Sequence, residues 1–178
     1  MKITKTEVPG VELINLEKHE DDRGFFARTF CAEELSQNGH DFEIKQANLS
    51  FNYKAGTLRG MHYQKSPVGD PKIVRCIAGR IIDIVIDLRK DSPTYCKWTA
   101  EELSATNRKS FIIPRGCAHG FLTLEPDTEV LYLMGAPFVP ELAAGVRWND
   151  PAFAITWPEN PTIINGRDAN YPDYEPQK

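Results

Sequence analysis

Long apolar runs are missing from this chain. No stretch approaches the roughly 20 consecutive apolar residues that a membrane-spanning helix needs, so no such helix is expected. The first residues, MKITKTEVPGVELI, lack the apolar core of an export signal. Cysteine is sparse as well: Cys31, Cys76, Cys96 and Cys117 stand apart with no CxxC pair. That spacing offers neither a thiolate metal cluster nor a disulfide framework, and reduced thiols in the cytoplasm are the expectation. A surplus of basic charge is lacking too. With 21 Lys+Arg against 25 Asp+Glu, the 178 residues carry a formal net charge of −4, which argues against nucleic acid or an anionic membrane as partner. Repeats, low-complexity tracts and linkers are absent, so residues 1–178 are read as one domain.

Helical pattern is scarce. CAEELSQNG (31–39) reads as a short helix stopped by Gly39, and PELAAG (140–145) as a single turn. Strand signal fills the middle instead. KIVRCI, a turn at AGR and then IIDIVIDL predict a hairpin built around Gly79. SFIIP, HGFLTL and EVLYLMG follow, punctuated by Pro114, Gly116, Pro126 and Gly135. Short strands spaced by turn residues are the pattern of a barrel or double-sheet sandwich. Alternation puts Ile82, Ile84, Ile86 and Leu88 on one face, and Asp83 and Asp87 on the other with Ile81 and Val85. Val130, Tyr132 and Met134 share a face in the same way. The proline-rich segment from Trp157 onward is expected to be irregular, yet its aromatics and Ile163–Ile164 need a surface to pack on.

The chain has only four histidines. After the strand SFII, the residues Pro114, Gly116 and His119 resemble the second motif of the cupin superfamily, a double-sheet jelly-roll barrel. The first cupin motif supplies an HxH pair and a later Glu as metal ligands. Here the stretch LRGMHYQ (58–64) has Gln64 in place of the second His, and no Glu follows in KSPVGDPK. Two histidines and an amide make a poor set for Zn²⁺ or Fe²⁺, and His19 and His40 lie in polar, loop-like sequence. No metal site is expected. Strict alternation would set His62 opposite Arg59, but Gly60 permits a bulge that re-aims one of them.

Taken singly, His62 is an ordinary strand histidine, Tyr132 a core residue, Lys72 an edge charge and Asp168 a turn residue. Their joint order says more. DDRGFFARTF (21–30), QANLS (46–50), LRGMHYQ, PKIVRCIAG (71–79), VIDLRKDSPTY (85–95), IPRGCAHGF (113–121), Tyr132, WNDP (148–151) and GRD (166–168) occur in one sequence. Together they closely resemble the dTDP-4-dehydrorhamnose 3,5-epimerase family, over about residues 20–168. The fold this implies is mostly β, a cupin-like double-sheet jelly-roll barrel with N-terminal arm strands and a few short helices. Residues 1–50 would form the arm and dimer-forming strands, 51–140 the barrel core, and 141–178 an irregular segment packed on the barrel.

The implied substrate is a nucleotide-diphosphate sugar with a ketone at carbon 4, which acidifies the hydrogens on both flanking carbons. Epimerisation then needs a base on one face, an acid on the other and a stabiliser for the enolate. By resemblance His62 is the base, Asp168 the carboxylate that orients it, Tyr132 the acid and Lys72 the cation near the oxyanion. Arg23, Phe26, Arg28, Gln46, Asn48, Arg59 and His119 match substrate-binding positions, and no cofactor is implied. The arm implies a homodimer, since in the family it crosses to the neighbouring subunit.

Two positions depart from the family pattern: Arg28 and Ala143 stand where Glu is usual. A guanidinium has five donors and no acceptor, so Arg28 is expected to meet a phosphate or an acceptor-rich base edge, and the nucleotide could be cytidine rather than thymidine. A single-position epimerase, a ketoisomerase on another nucleotide sugar and a non-catalytic cupin-like sugar-binding protein are the alternatives.

Overall fold

The computed structural model describes residues 1–176. In chain order the elements are β1 (Lys2–Lys5), β2 (Glu12–Asn15), β3 (Lys18–Asp21), β4 (Gly24–Ala27), helix α1 (Ala32–Gln37), β5 (Gln46–Asn52), β6 (Thr57–Gln64) and β7 (Lys72–Ala78). Then come β8 (Arg80–Asp87), β9 (Trp98–Ser104), β10 (Ser110–Ile113), β11 (Cys117–Thr123) and β12 (Thr128–Met134). A 3-10 turn at Pro140–Leu142, β13 (Ala143–Gly145), β14 (Ile163–Ile164) and the short helix α2 (Gly166–Ala169) follow.

Two sheets make the body of a cupin-like jelly roll. The first runs β1-β2-β10-β7-β12-β5, the second β13-β6-β11-β8-β9 with β14 added to β6. Their inner faces meet over a fully buried core in which Val74, Phe111 and Val130 from the first sheet oppose Ile81, Val85 and Phe121 from the second. The alternation read in IIDIVIDL holds. Ile81 and Val85 point inward with Asp83 and Asp87, while Ile84 and Ile86 point outward to join Val146, Phe153, Ile155, Trp157 and Tyr174. The irregular C-terminal segment therefore packs on the outer face of the second sheet, which explains its aromatic content.

The hairpin expected at Gly79 does not form. β7 pairs with β10 and β12, whereas β8 pairs with β9 and β11, so the two strands lie in different sheets. Gly79 is the sole residue between them, fewer than the two that the tightest common hairpin loops use. Its backbone turns a corner at φ +73°, and a Cβ there would lie 2.3 Å from Thr128 Oγ1. Alternation defines the faces of a strand but not its neighbours.

Strands β3 and β4 form a separate two-stranded ribbon. Its residues are exposed almost throughout, Phe26 at 77%. At the centre of the second sheet, β6 and β11 pair with His62 opposite His119 and Arg59 opposite Phe121, and the register shifts between them. The bulge that Gly60 allows is therefore present. Gly60 has φ +146°, and a Cβ there would sit 2.5 Å from Gly120 Cα. This close backbone approach sends the side chains of Arg59 and His62 to the same cavity.

Candidate active site

That cavity, about 290 Å³, opens between the sheets. Asn48 and Ser50 of β5, Lys72 of β7 with the preceding Asp70, and Tyr132 and Met134 of β12 line one wall. Arg59 and His62 of β6 and His119 of β11 line the opposite wall, and Asn165 and Asp168 close one side.

His62 is held by a completely buried carboxylate. Its Nε2 lies 2.7 Å from Asp168 Oδ1. The other oxygen, Asp168 Oδ2, accepts from Gly60 N and Asn165 Nδ2, each at 3.2 Å. Asn165 also caps α2, accepting from Asp168 N at 2.8 Å, so the cap that starts this helix also aims the carboxylate. An ionised carboxylate can only accept, which assigns the proton to Nε2 and leaves Nδ1 to gain or lose one. The His62 side chain is 41% exposed, so solvent reaches it.

Tyr132 faces the cavity from the other sheet. Burial pushes its phenol well above the ordinary tyrosine value; Asp83 and Asp70 add to that, and Arg59 opposes it. The phenol therefore stays protonated and can donate. Lys72, buried, holds its Nζ 2.5 Å from Asp70 Oδ2. His119 Nε2 lies 2.6 Å from Asp83 Oδ1, and its ring stands edge-on to Tyr132 with centroids 6.1 Å apart. Arg59 is tethered by Nε to Asn52 Oδ1 at 2.8 Å and by Nη2 to Phe51 O at 3.3 Å.

Gln64 has a different task. Its Nε2 donates to Gly69 O and Pro137 O, both at 3.1 Å, and its Oε1 accepts from Val139 N at 2.7 Å. The amide staples the loop before β7 to the segment after β12. Among the described residues, no group of three or more His, Cys, Asp or Glu is placed to hold a metal ion.

Of the residues singled out from sequence, His62, Tyr132, Asp168, Lys72, Arg59, His119 and Asn48 meet in this cavity. Gln46 lies beyond its edge, with Oε1 accepting from Phe138 N at 2.8 Å. The arm residues lie elsewhere. Arg23 is exposed and paired with Asp21 at 2.5 Å, Phe26 is open to solvent, and Arg28 Nη1 bonds Glu34 Oε1 at 2.5 Å. Asp70, Asp83, Ser50, Met134 and Asn165 were not singled out. Asp83 had a signal, a carboxylate on the inner face of an apolar strand, and so did Asn165, a cap residue three before Asp168. Asp70 had none.

The dTDP-4-dehydrorhamnose 3,5-epimerase family profile matches residues 5–175. The chain belongs to this family. The dTDP-4-dehydrorhamnose 3,5-epimerase of Sinorhizobium fredii is 38% identical over 173 residues, 97% of this chain and 89% of that one. Among solved structures, the dTDP-4-dehydrorhamnose 3,5-epimerase of Bacillus anthracis, with TDP and pyrophosphate bound, superposes with a TM-score of 0.93 at 37% identity, covering 97% of this chain and 99% of the other. A 3′-monoepimerase from Streptomyces bikiniensis in complex with dTDP-quinovose gives 0.87 at 30% identity, over 94% and 85%. As a member of the dTDP-4-dehydrorhamnose 3,5-epimerase family the protein is an isomerase. Its two departures are placed by the fold: Ala143 on β13 pairs with Gln64 of β6, and Arg28 bonds Glu34 of α1.

Proposed function

We propose that this protein epimerises a dTDP-linked 4-keto-6-deoxyhexose at the carbons flanking the ketone, with His62 as base and Tyr132 as acid. One observation carries this reading: a carboxylate-held imidazole and a protonated phenol face one cavity from opposite sheets. His62 Nδ1 takes the hydrogen from a carbon beside the ketone, and the electron pair moves onto the carbonyl oxygen as an enolate. Lys72, anchored by Asp70, offers positive charge to that oxygen. Asp168 stabilises the imidazolium. Tyr132 then protonates the carbon from the other face, inverting it, and both residues are reset by exchange with solvent. Only side chains of this chain enter these steps.

Thymidine is the nucleotide read here, supported by the TDP-bound relative. The cytidine alternative rested on Arg28 meeting the ligand; within one chain its exposed guanidinium bonds Glu34. We also read the protein as a homodimer. Leu49, Phe51 and Ile77 on the outer face of the first sheet are 57%, 39% and 40% exposed, an apolar patch that a second copy would cover. The ribbon carrying Arg23 and Phe26 would then complete the partner's cavity. Four free cysteines fit a reducing compartment such as the cytoplasm, and no helix among the described residues is long and apolar enough to cross a membrane.

A second reading, inversion at a single carbon, is favoured by the likeness to a 3′-monoepimerase. Incubating dTDP-4-keto-6-deoxyglucose with the protein in D₂O separates the two. Deuterium with inverted configuration at both flanking carbons is expected, and inversion at one alone would assign the monoepimerase. His62→Ala and Tyr132→Phe should each lower turnover by roughly 10²–10⁴-fold. A wild-type protein that binds the sugar nucleotide but exchanges no hydrogen would overturn the proposal in favour of a sugar-binding protein.

A further inference from the structure

Asp83 has a burial that packing does not account for. It sits on the inner face of β8 opposite Phe121, in line with Ile81 and Val85, and is 0% exposed. Oδ1 has one partner, His119 Nε2 at 2.6 Å, while Oδ2 has no hydrogen-bond partner among the described residues. Asp168 and Asp87, each 0% exposed like Asp83, are fully served. Both oxygens of Asp168 accept hydrogen bonds, and so do both of Asp87. A bare buried carboxylate oxygen is destabilising, and an apolar side chain of similar size avoids that cost. A residue kept under such conditions is explained better by what it does to its one partner than by stability.

That partner is a wall of the cavity. The His119 ring, 4% exposed, stands between Asp83 and Tyr132, edge-on to the phenol at an interplanar angle of 78°. We propose that Asp83 is a positioning residue for the protonation step. By holding His119 at Nε2 it fixes the surface against which Tyr132 rests, and with it the approach of the phenol to the enolate. The negative charge of Asp83 also acts on Tyr132 directly, adding to the burial that keeps the phenol protonated. The inference rests on the acid–base reading above. Proton delivery depends steeply on distance, and a misplacement of about 1 Å can cost on the order of 10²-fold.

The chemistry provides a readout that a merely structural role would not move. Once His62 has taken a hydrogen, its exchangeable proton equilibrates with D₂O, and the enolate has two fates. Deuteron return from His62 gives exchange with retained configuration; donation from Tyr132 gives inversion. If Asp83 positions the acid, Asp83→Leu should slow inversion by up to about 10²-fold and leave exchange with retention comparatively intact, raising the ratio of exchange to inversion about tenfold or more. Asp83→Asn, whose Oδ1 can still accept from His119 Nε2, should hold the ratio closer to that of the wild type. His119→Asn severs the same hydrogen bond from the other side and should raise the ratio likewise, which keeps the inference testable if the Asp83 variants fold poorly. The double variant should be no worse than His119→Asn alone. Exchange and inversion falling in proportion in Asp83→Leu and His119→Asn would overturn the inference while leaving the proposed function standing. A wild-type protein that exchanges nothing would overturn both.

Discussion

At the scale of single residues, the buried aspartates show how one side-chain type is put to different uses. Asp168 is oriented by a helix cap so that it can orient His62. Asp87 braces a loop: it accepts from Arg89 N, Nε and Nη2, from Ser92 Oγ and from Thr94 Oγ1. Burial alone would raise the Asp87 carboxyl, but these donors outweigh it and the net effect is a lowering from the ordinary 3.8. The sign for stability follows. A carboxylate whose folded value is depressed contributes stability above its unfolded value, and that contribution is lost as pH falls through the folded value. Asp87→Asn should therefore lower stability at pH 7 by about 1.5–3 kcal/mol. The gap to the wild type should close as the pH falls below about 4. Thermal unfolding followed from pH 7 to pH 2 checks this, and a gap that persists into strong acid would contradict it.

At the scale of elements, the geometry of the candidate site depends on two strands whose backbones approach closely at a pair of glycines. Gly60 and Gly120 face each other across β6 and β11: a Cβ on Gly120 would lie 2.7 Å from Arg59 O and 2.8 Å from Gly60 Cα. Around Gly60 the three nearest atoms, Gly120 Cα, His119 O and Gly120 N, are all backbone, which leaves nothing flexible to move. Gly60→Ala should cost about 3 kcal/mol or more, combining a clash with a φ that L residues avoid. Because Arg59 and His62 flank that position, the folded fraction should also lose turnover. Urea unfolding together with turnover per folded molecule tests both, and unchanged stability would argue against the close approach. The bulge itself was legible in LRGMHYQ, since a glycine inside a strand marks such a site. The corner at Gly79 was not, because a turn glycine serves a hairpin and a change of sheet equally well.

At the scale of the whole molecule, the proposed dimer links the exposed face of the first sheet to the arm. Leu49 is more than half exposed on that face, and β5, its strand, also carries Asn48 into the cavity. Leu49→Glu would place like charges on both copies at the centre of an apolar contact. It should convert a dimer into a monomer in sedimentation experiments, and lower turnover if the partner's ribbon completes the site. A wild-type protein that sediments as a monomer at micromolar concentration would exclude the dimer.

The sequence by itself determined which side of each strand is apolar, because alternation is a local property of extended chain. Its motifs, in their order along the chain, also carried the resemblance to an epimerase family that implied the reaction class. Only the tertiary structure decided which strands are neighbours and which polar groups find each other. Gln64 meets Val139 across 75 positions, and His119 meets Asp83 across 36. Local pattern carries no information at such separations. What selects those partners is the closing of two sheets over one core, where every buried polar group has to find a partner or remain, like one oxygen of Asp83, without one.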